Sequence, residues 1–269
     1  MTVLAPVPNR RQMTVDRRKR GGRRAEELDA AIRESQVEIL FQPQFDCAEG
    51  KIVGAEALSR WHHPRLGRIG AEALFDVAER SGETARLTRH VAGRAMAVAA
   101  GWPEELHLSL NLTAADLAEP DFADTIADAL ADARFAPGRL TLEITEHALL
   151  RDIDEAAAQL EKLAALGVGI ALDDFGAGFC NFAYLKRLPL NALKLDRSMI
   201  EGITDDERDL AVLRGILAMA AALGLSVTAE GIETDAQREV VSREGCAAWQ
   251  GFLGAQPMAA DDFAHLVAR

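Results

Sequence analysis

Eight short, β-rich apolar segments recur through the 232 residues from Glu38 onward, about 29 residues apart on average. From the second onward, each is followed by a segment of helical period. This rhythm constrains the fold strongly, because parallel strands need crossovers of a dozen or more residues and helices are the usual ones. The spacing predicts strands at 39–45, 52–58, 106–112, 140–145, 168–173, 192–195, 225–230 and 247–250. Helices are expected at 25–36, 71–80, 84–100, 121–134, 153–166, 181–188, 205–223, 235–244 and 261–267. Only about six residues, Asp46–Lys51, join the first two strands. That is too short for a crossover, so these two run antiparallel. The class is therefore α/β, a modified (β/α)8 TIM-type barrel with an antiparallel first strand. A doubly wound open sheet is the alternative, but neither GxGxxG nor GxxxxGK[ST] occurs to supply its phosphate loop.

A barrel gathers its chemistry at the carboxyl ends of its strands. Here seven strands deliver a polar side chain there: Glu56, Asn111, Glu143, Asp173 with Asp174, Lys194, Glu230 and Gln250. Singly, a strand-end glutamate is usually a solvated rim charge, and Asn111 or Asp173-Asp174 would serve as turn formers. Lys194 lies between Leu193 and Leu195, where a buried ammonium requires a charged partner. Converging carboxylates repel one another unless hard divalent cations such as Mg²⁺ or Mn²⁺ join them. An adjacent Asp-Asp pair suits a two-ion centre of the kind that hydrolyses phosphoesters.

Other chemistries lack their residues. No HxH or HExxH spacing builds a zinc site, and no GxSxG elbow supplies a nucleophile. Against 30 Lys+Arg the chain carries 42 Asp+Glu, a net charge of −12, which disfavours duplex nucleic acid. Charge is uneven: residues 1–24 hold eight bases and one acid, a net of +7, leaving −19 on the remainder. This segment reads as a basic, disordered tail with no identified partner, preceding one domain over 25–269. Three well-separated cysteines fit a reducing cytoplasm, and no apolar run is long enough to span a membrane.

The motifs GAEALSRW (54–61), NLT (111–113), EITE (143–146), DDFGAGFCNFAYL (173–185), LKLDRSMI (193–200), AEGIET (229–234) and WQGFLGAQPM (249–258) occur in order. From about Val37 to Arg269 the chain resembles the EAL-domain family of bacterial cyclic di-GMP phosphodiesterases. The resemblance implies hydrolysis of cyclic di-GMP to linear pGpG with two Mg²⁺ or Mn²⁺ ions, and a homodimer. It implies that Glu56, Asn111, Glu143 and Asp173 bind one ion, that Asp173 and Asp174 flank the second, and that Lys194 holds the attacking water. Glu230 matches a carboxylate acting as general base or metal ligand, while Gln42, Arg60 and Gln250 match substrate-site positions. Glu146 and Glu233 match residues that anchor a loop or support the site. The loop reads DFGAGFCNFAYL where relatives commonly have DFGTGYSSLSYL; Ala177 replaces a threonine, and Phe179, Cys180 and Asn181 also differ. Retention of every proposed ligand favours an active enzyme. A silent cyclic di-GMP receptor or interaction barrel, or a hydrolase of another phosphodiester, are the alternatives.

Overall fold

A computed structural model describes residues 25–149, 153–178 and 182–268. The basic tail and loop positions Phe179, Cys180 and Asn181 therefore lie outside the described residues. The described residues fall into two compact units, one drawn from 25–38 with 59–87 and the other from 39–58 with 88–268.

The larger unit contains the closed eight-stranded barrel and its surrounding helices. Strands β1 (Val37–Asp46) and β2 (Ile52–His63) extend beyond this unit at one end each. The remaining barrel strands are β4 (His107–Leu112), β5 (Leu140–Thr145), β6 (Gly169–Phe175), β7 (Ala192–Leu195), β8 (Ser226–Ala229) and β9 (Ala248–Trp249). They are ordered β1-β9-β8-β7-β6-β5-β4-β2, and β1–β2 pairing closes the ring. From β2 to β9 the neighbours are parallel, whereas β1 is antiparallel to β9. At the β1–β2 turn, the amide of Asp46 donates to the Lys51 carbonyl at 2.9 Å. The Asp46 carboxylate accepts from the amides of Glu49 and Lys51, which explains how so short a connection closes.

Alternation divides the strands into two faces. Leu142, Ile144, Leu193 and Leu195 are fully buried on one face, and parity places Glu143 and Lys194 on the other. The helices in this unit are most of α3 (Thr84–Ala99), α4 (Ala114–Leu117), α5 (Phe122–Ala133), α6 (Ile153–Ala165), α7 (Phe182–Arg187), α8 (Glu207–Leu223), α9 (Asp235–Glu244) and α10 (Ala260–Val267). Local chemistry sets several boundaries. The α8 helix begins two residues later than periodicity predicts, because Asp206 caps it. Thr234 and Gln237 form a capping box at α9, and Gly224 and Gly245 close the two helices in the left-handed conformation.

The smaller unit holds a helix over 25–33 (α1), the outer half of β2, strand β3 (Gly67–Gly70), helix α2 (Ala71–Ser81) and the first turn of α3. The β2–β3 pairing is antiparallel from Arg60↔Gly70 to His63↔Gly67. Periodicity does not predict β3, because its four residues contain one apolar side chain and none is buried. At its turn, buried His63 accepts the amides of Arg65 and Leu66 through Nδ1.

Candidate active site

The mouth of the barrel is built around one ammonium group. Lys194 is only 2% exposed. Its Nζ lies 2.6 Å from Glu143 Oε2, 2.7 Å from Glu230 Oε1, 3.3 Å from Asp173 Oδ1 and 3.5 Å from Glu56 Oε2. Three strands and the residue just past a fourth thus aim carboxylates at a cation supplied by β7. Burial opposes its charge, but the surrounding carboxylates overcome this and hold the ammonium well above its ordinary range.

The Glu56 carboxylate is further fixed by two amides. Asn111 Nδ2 donates to Oε1 at 2.5 Å, and Gln250 Nε2 donates to Oε2 at 2.8 Å and to Gln42 Oε1 at 3.1 Å. Burial pushes Glu56 up, yet Lys194 and these amides bring it below its ordinary value. Glu143 is driven well above the usual carboxylate range, first by burial and then by Glu56, Asp173 and Glu230. Glu230 is pushed up to about 7, mainly by burial, with Lys194 opposing the shift.

Two adjacent residues of a regular strand face opposite sides. Asp173 and Asp174 avoid this because the β6–β7 register shifts between Leu172 and Phe175, while Asp174 adopts φ +55°. The Asp174 amide donates to Asp173 Oδ1 at 2.9 Å. Ligand oxygens of Asp173, Asp174 and Glu230 consequently lie within 4.8 Å of one another, close enough to share a cation. Asp174 is raised by burial and then by neighbouring Asp173 and Asp196.

With every carboxylate ionised, five of them against one ammonium carry a formal charge of −4 on Glu56, Glu143, Asp173, Asp174, Glu230 and Lys194, and the raised values of Glu143 and Glu230 reflect the cost of reaching that state without cations. Gln250 Oε1 is also buried without a hydrogen-bond partner among the described residues. An all-oxygen donor set with this charge fits hard divalent ions.

The predicted positions Gln42, Glu56, Asn111, Glu143, Asp173, Asp174, Lys194, Glu230 and Gln250 are thereby linked in one site. Glu230 and Gln250 stand just past the ends of β8 and β9 rather than within them. Glu146 begins a 3-10 turn directly after β5. Glu233 pairs with Arg197 at 2.6 Å, a partner that the sequence motifs do not single out. Arg60 belongs to the smaller unit, where its guanidinium donates to the Ser59 carbonyl.

The EAL domain family model matches residues 25–257. The chain belongs to the EAL domain family. It is 39% identical over 237 residues to the cyclic di-GMP phosphodiesterase NbdA of Pseudomonas aeruginosa, covering 87% of this chain and 30% of NbdA. It is 37% identical over 246 residues to the bifunctional diguanylate cyclase/cyclic di-GMP phosphodiesterase MucR of the same organism, covering 90% and 36% respectively. This EAL domain thus spans about a third of the length of the curated relatives it matches. A solved structure of the PaMucR phosphodiesterase in a c-di-GMP complex superposes with a TM-score of 0.82 at 36% identity, covering 90% of this chain and 99% of that one. The family match begins at residue 25, earlier than the motifs alone predict, and so includes the helix α1.

Proposed function

We propose that this EAL domain hydrolyses cyclic di-GMP to linear pGpG with two Mg²⁺ or Mn²⁺ ions. The observation carrying the reading is the Lys194 cluster, four carboxylates borne on strands or just past a strand end within 3.5 Å of one ammonium. Similarity to phosphodiesterases and to a dinucleotide complex supports the choice of substrate. Glu56, Asn111, Glu143 and Asp173 would hold one ion, and Asp173 and Asp174 would flank the other, with Glu230 either completing that second site or standing beside it as general base. When bound, such ions supply positive charge for the scissile phosphodiester and lower the pKa of water.

The side chains have separable roles. Lys194 donates hydrogen bonds from Nζ, orienting the attacking water and offsetting negative charge that develops at phosphorus. Glu230, where it stays off the second ion, would accept the water proton. The water adds to phosphorus as the bond to the 3′ oxygen breaks, and that oxygen takes a proton from solvent to leave as the 3′-hydroxyl of pGpG. Gln250 fixes Glu56 and Gln42 around the substrate space, and Arg60 offers a planar guanidinium to a phosphate or guanine edge. Glu146 and Glu233 support the adjoining loops. A homodimer is the working form implied by the resemblance, and a cytoplasmic setting suits the free thiols of Cys47 and Cys246.

Product chromatography after incubation with cyclic di-GMP and Mg²⁺ or Mn²⁺ tests this reading. The expected product is pGpG, abolished by Glu56→Ala or Asp173→Ala. Binding without product would identify a receptor instead, and near-wild-type turnover of either variant in saturating Mg²⁺ would refute the ligand assignment.

A further inference from the structure

The short turn after β7 reaches both the end of β6, which carries Asp173 and Asp174, and the segment after β8 that carries Glu230. Asp196 opens it, accepting the Ser198 amide at 3.0 Å, and Arg197–Met199 form one turn of 3-10 helix. Main-chain bonds tie it to both neighbours: the Asp196 amide donates to the Phe175 carbonyl at 3.2 Å, and the Glu230 amide to the Leu195 carbonyl at 3.0 Å.

Two glycines receive the side chains of this turn. Gly231, next to Glu230, has φ +67°, and a Cβ there would meet Arg197 Cβ and Cγ at 2.6 Å. Gly176, two residues beyond Asp174, has φ +100°, and its Cβ would collide with the Met199 side chain. Each notch therefore needs glycine twice, for its backbone conformation and for the side chain filling it. Arg197 is held in place by Glu201 at 2.8 Å and Glu233 at 2.6 Å. Met199 packs against the hydrophobic core.

We propose that Arg197 and Met199 are positioning residues, together forming a wedge that sets the separation between Glu230 and the Asp173–Asp174 pair. The stem of Arg197 presses behind Glu230, and Met199 presses behind the bulge that turns Asp174 toward Asp173. Neither side chain is assigned a contact with substrate; both act through the backbone that presents three candidate ligands. This inference rests on the divalent-ion reading above. It also gives Glu233 a defined role, which is to fix the guanidinium so that the arginine stem stays in its notch.

The test is Mn²⁺ titration of the metal-free full chain, followed by the EPR signal of free Mn²⁺, without substrate. Arg197→Ala and Met199→Ala are each expected to weaken Mn²⁺ binding about 10-fold, the lower end for residues that orient metal ligands. Arg197→Lys and Met199→Leu keep the apolar stems and should restore near-wild-type affinity. Gly231→Ala and Gly176→Ala approach the same contacts from the opposite side and should also weaken binding. Thermal melts run in parallel. Alanine variants that melt earlier but bind Mn²⁺ with wild-type affinity would overturn the wedge while leaving the metal reading intact. If the alanine variants do not fold, unchanged Mn²⁺ affinity in both glycine variants would overturn it equally. A wild-type chain that binds no Mn²⁺ would remove both the wedge and the metal reading.

Discussion

At the residue scale, Lys194 organises the site by charge, and its removal should have two distinguishable effects. In Lys194→Met, turnover is expected to fall by about 100-fold or more, because the group offsetting transition-state charge is gone. The metal-free variant should also lose about 3–5 kcal/mol of stability in urea titrations, since buried carboxylates lose their counter-charge. Glu230 gives a pH signature of defined sign. Its folded value of about 7 lies above the ordinary 4.5, so its contribution to stability is full below 4.5 and is lost as pH rises through about 7. Thermal melts of metal-free protein should therefore show stability declining between roughly pH 5 and 8, and Glu230→Gln should reduce that slope. An unchanged slope would place the titration elsewhere. Lys194 was legible in sequence because a charge between two leucines demands partners. The Asp173-Asp174 pair was also expected at one mouth from its place at a strand end; what the sequence did not display is the bulge that overcomes strand parity to bring the two together.

At the element scale, the ladder of strands and crossover helices was readable from periodicity, as was the antiparallel β1–β2 turn. What escaped were β3, a four-residue strand with no buried side chain of its own, and α4, one turn capped by Thr113 and Asp116. Such elements are made by backbone hydrogen bonding and caps, with little apolar patterning for a sequence to display. The β9 end illustrates the same limit. Gly251 follows Gln250, and a Cβ there would strike the Ile232 backbone, while the Ile232 amide donates to the Gln250 carbonyl at 3.1 Å. Because main chain cannot rotate aside as a side-chain tip can, Gly251→Ala should destabilise the domain by about 1–3 kcal/mol. Thr234→Ala, which removes only the α9 cap, should cost about 1 kcal/mol. Urea titration of both variants separates the overpacked backbone from the lost cap. Equal, near-zero effects would show that the loop after β9 moves freely.

At the scale of the whole molecule, a net charge of −12 argues against generic phosphate binding, but it averages over a site whose own balance matters more. When all are ionised, Glu56, Glu143, Asp173, Asp174 and Glu230 exceed Lys194 by four formal negative charges, the amount that the two proposed divalent ions would neutralise. Ions and dinucleotide should therefore bind with positive coupling. Ca²⁺, also a hard oxygen-seeking cation, allows this to be measured separately from Mg²⁺-dependent turnover. Calorimetry should show cyclic di-GMP binding about 5–150-fold more tightly in saturating Ca²⁺ than in EDTA. Linkage requires the dinucleotide to tighten Ca²⁺ by the same factor, so the two titrations check one another. Equal dinucleotide affinity with and without Ca²⁺ would mean that cation charge is not needed to hold it, and that the acidic cluster serves the chemical step alone.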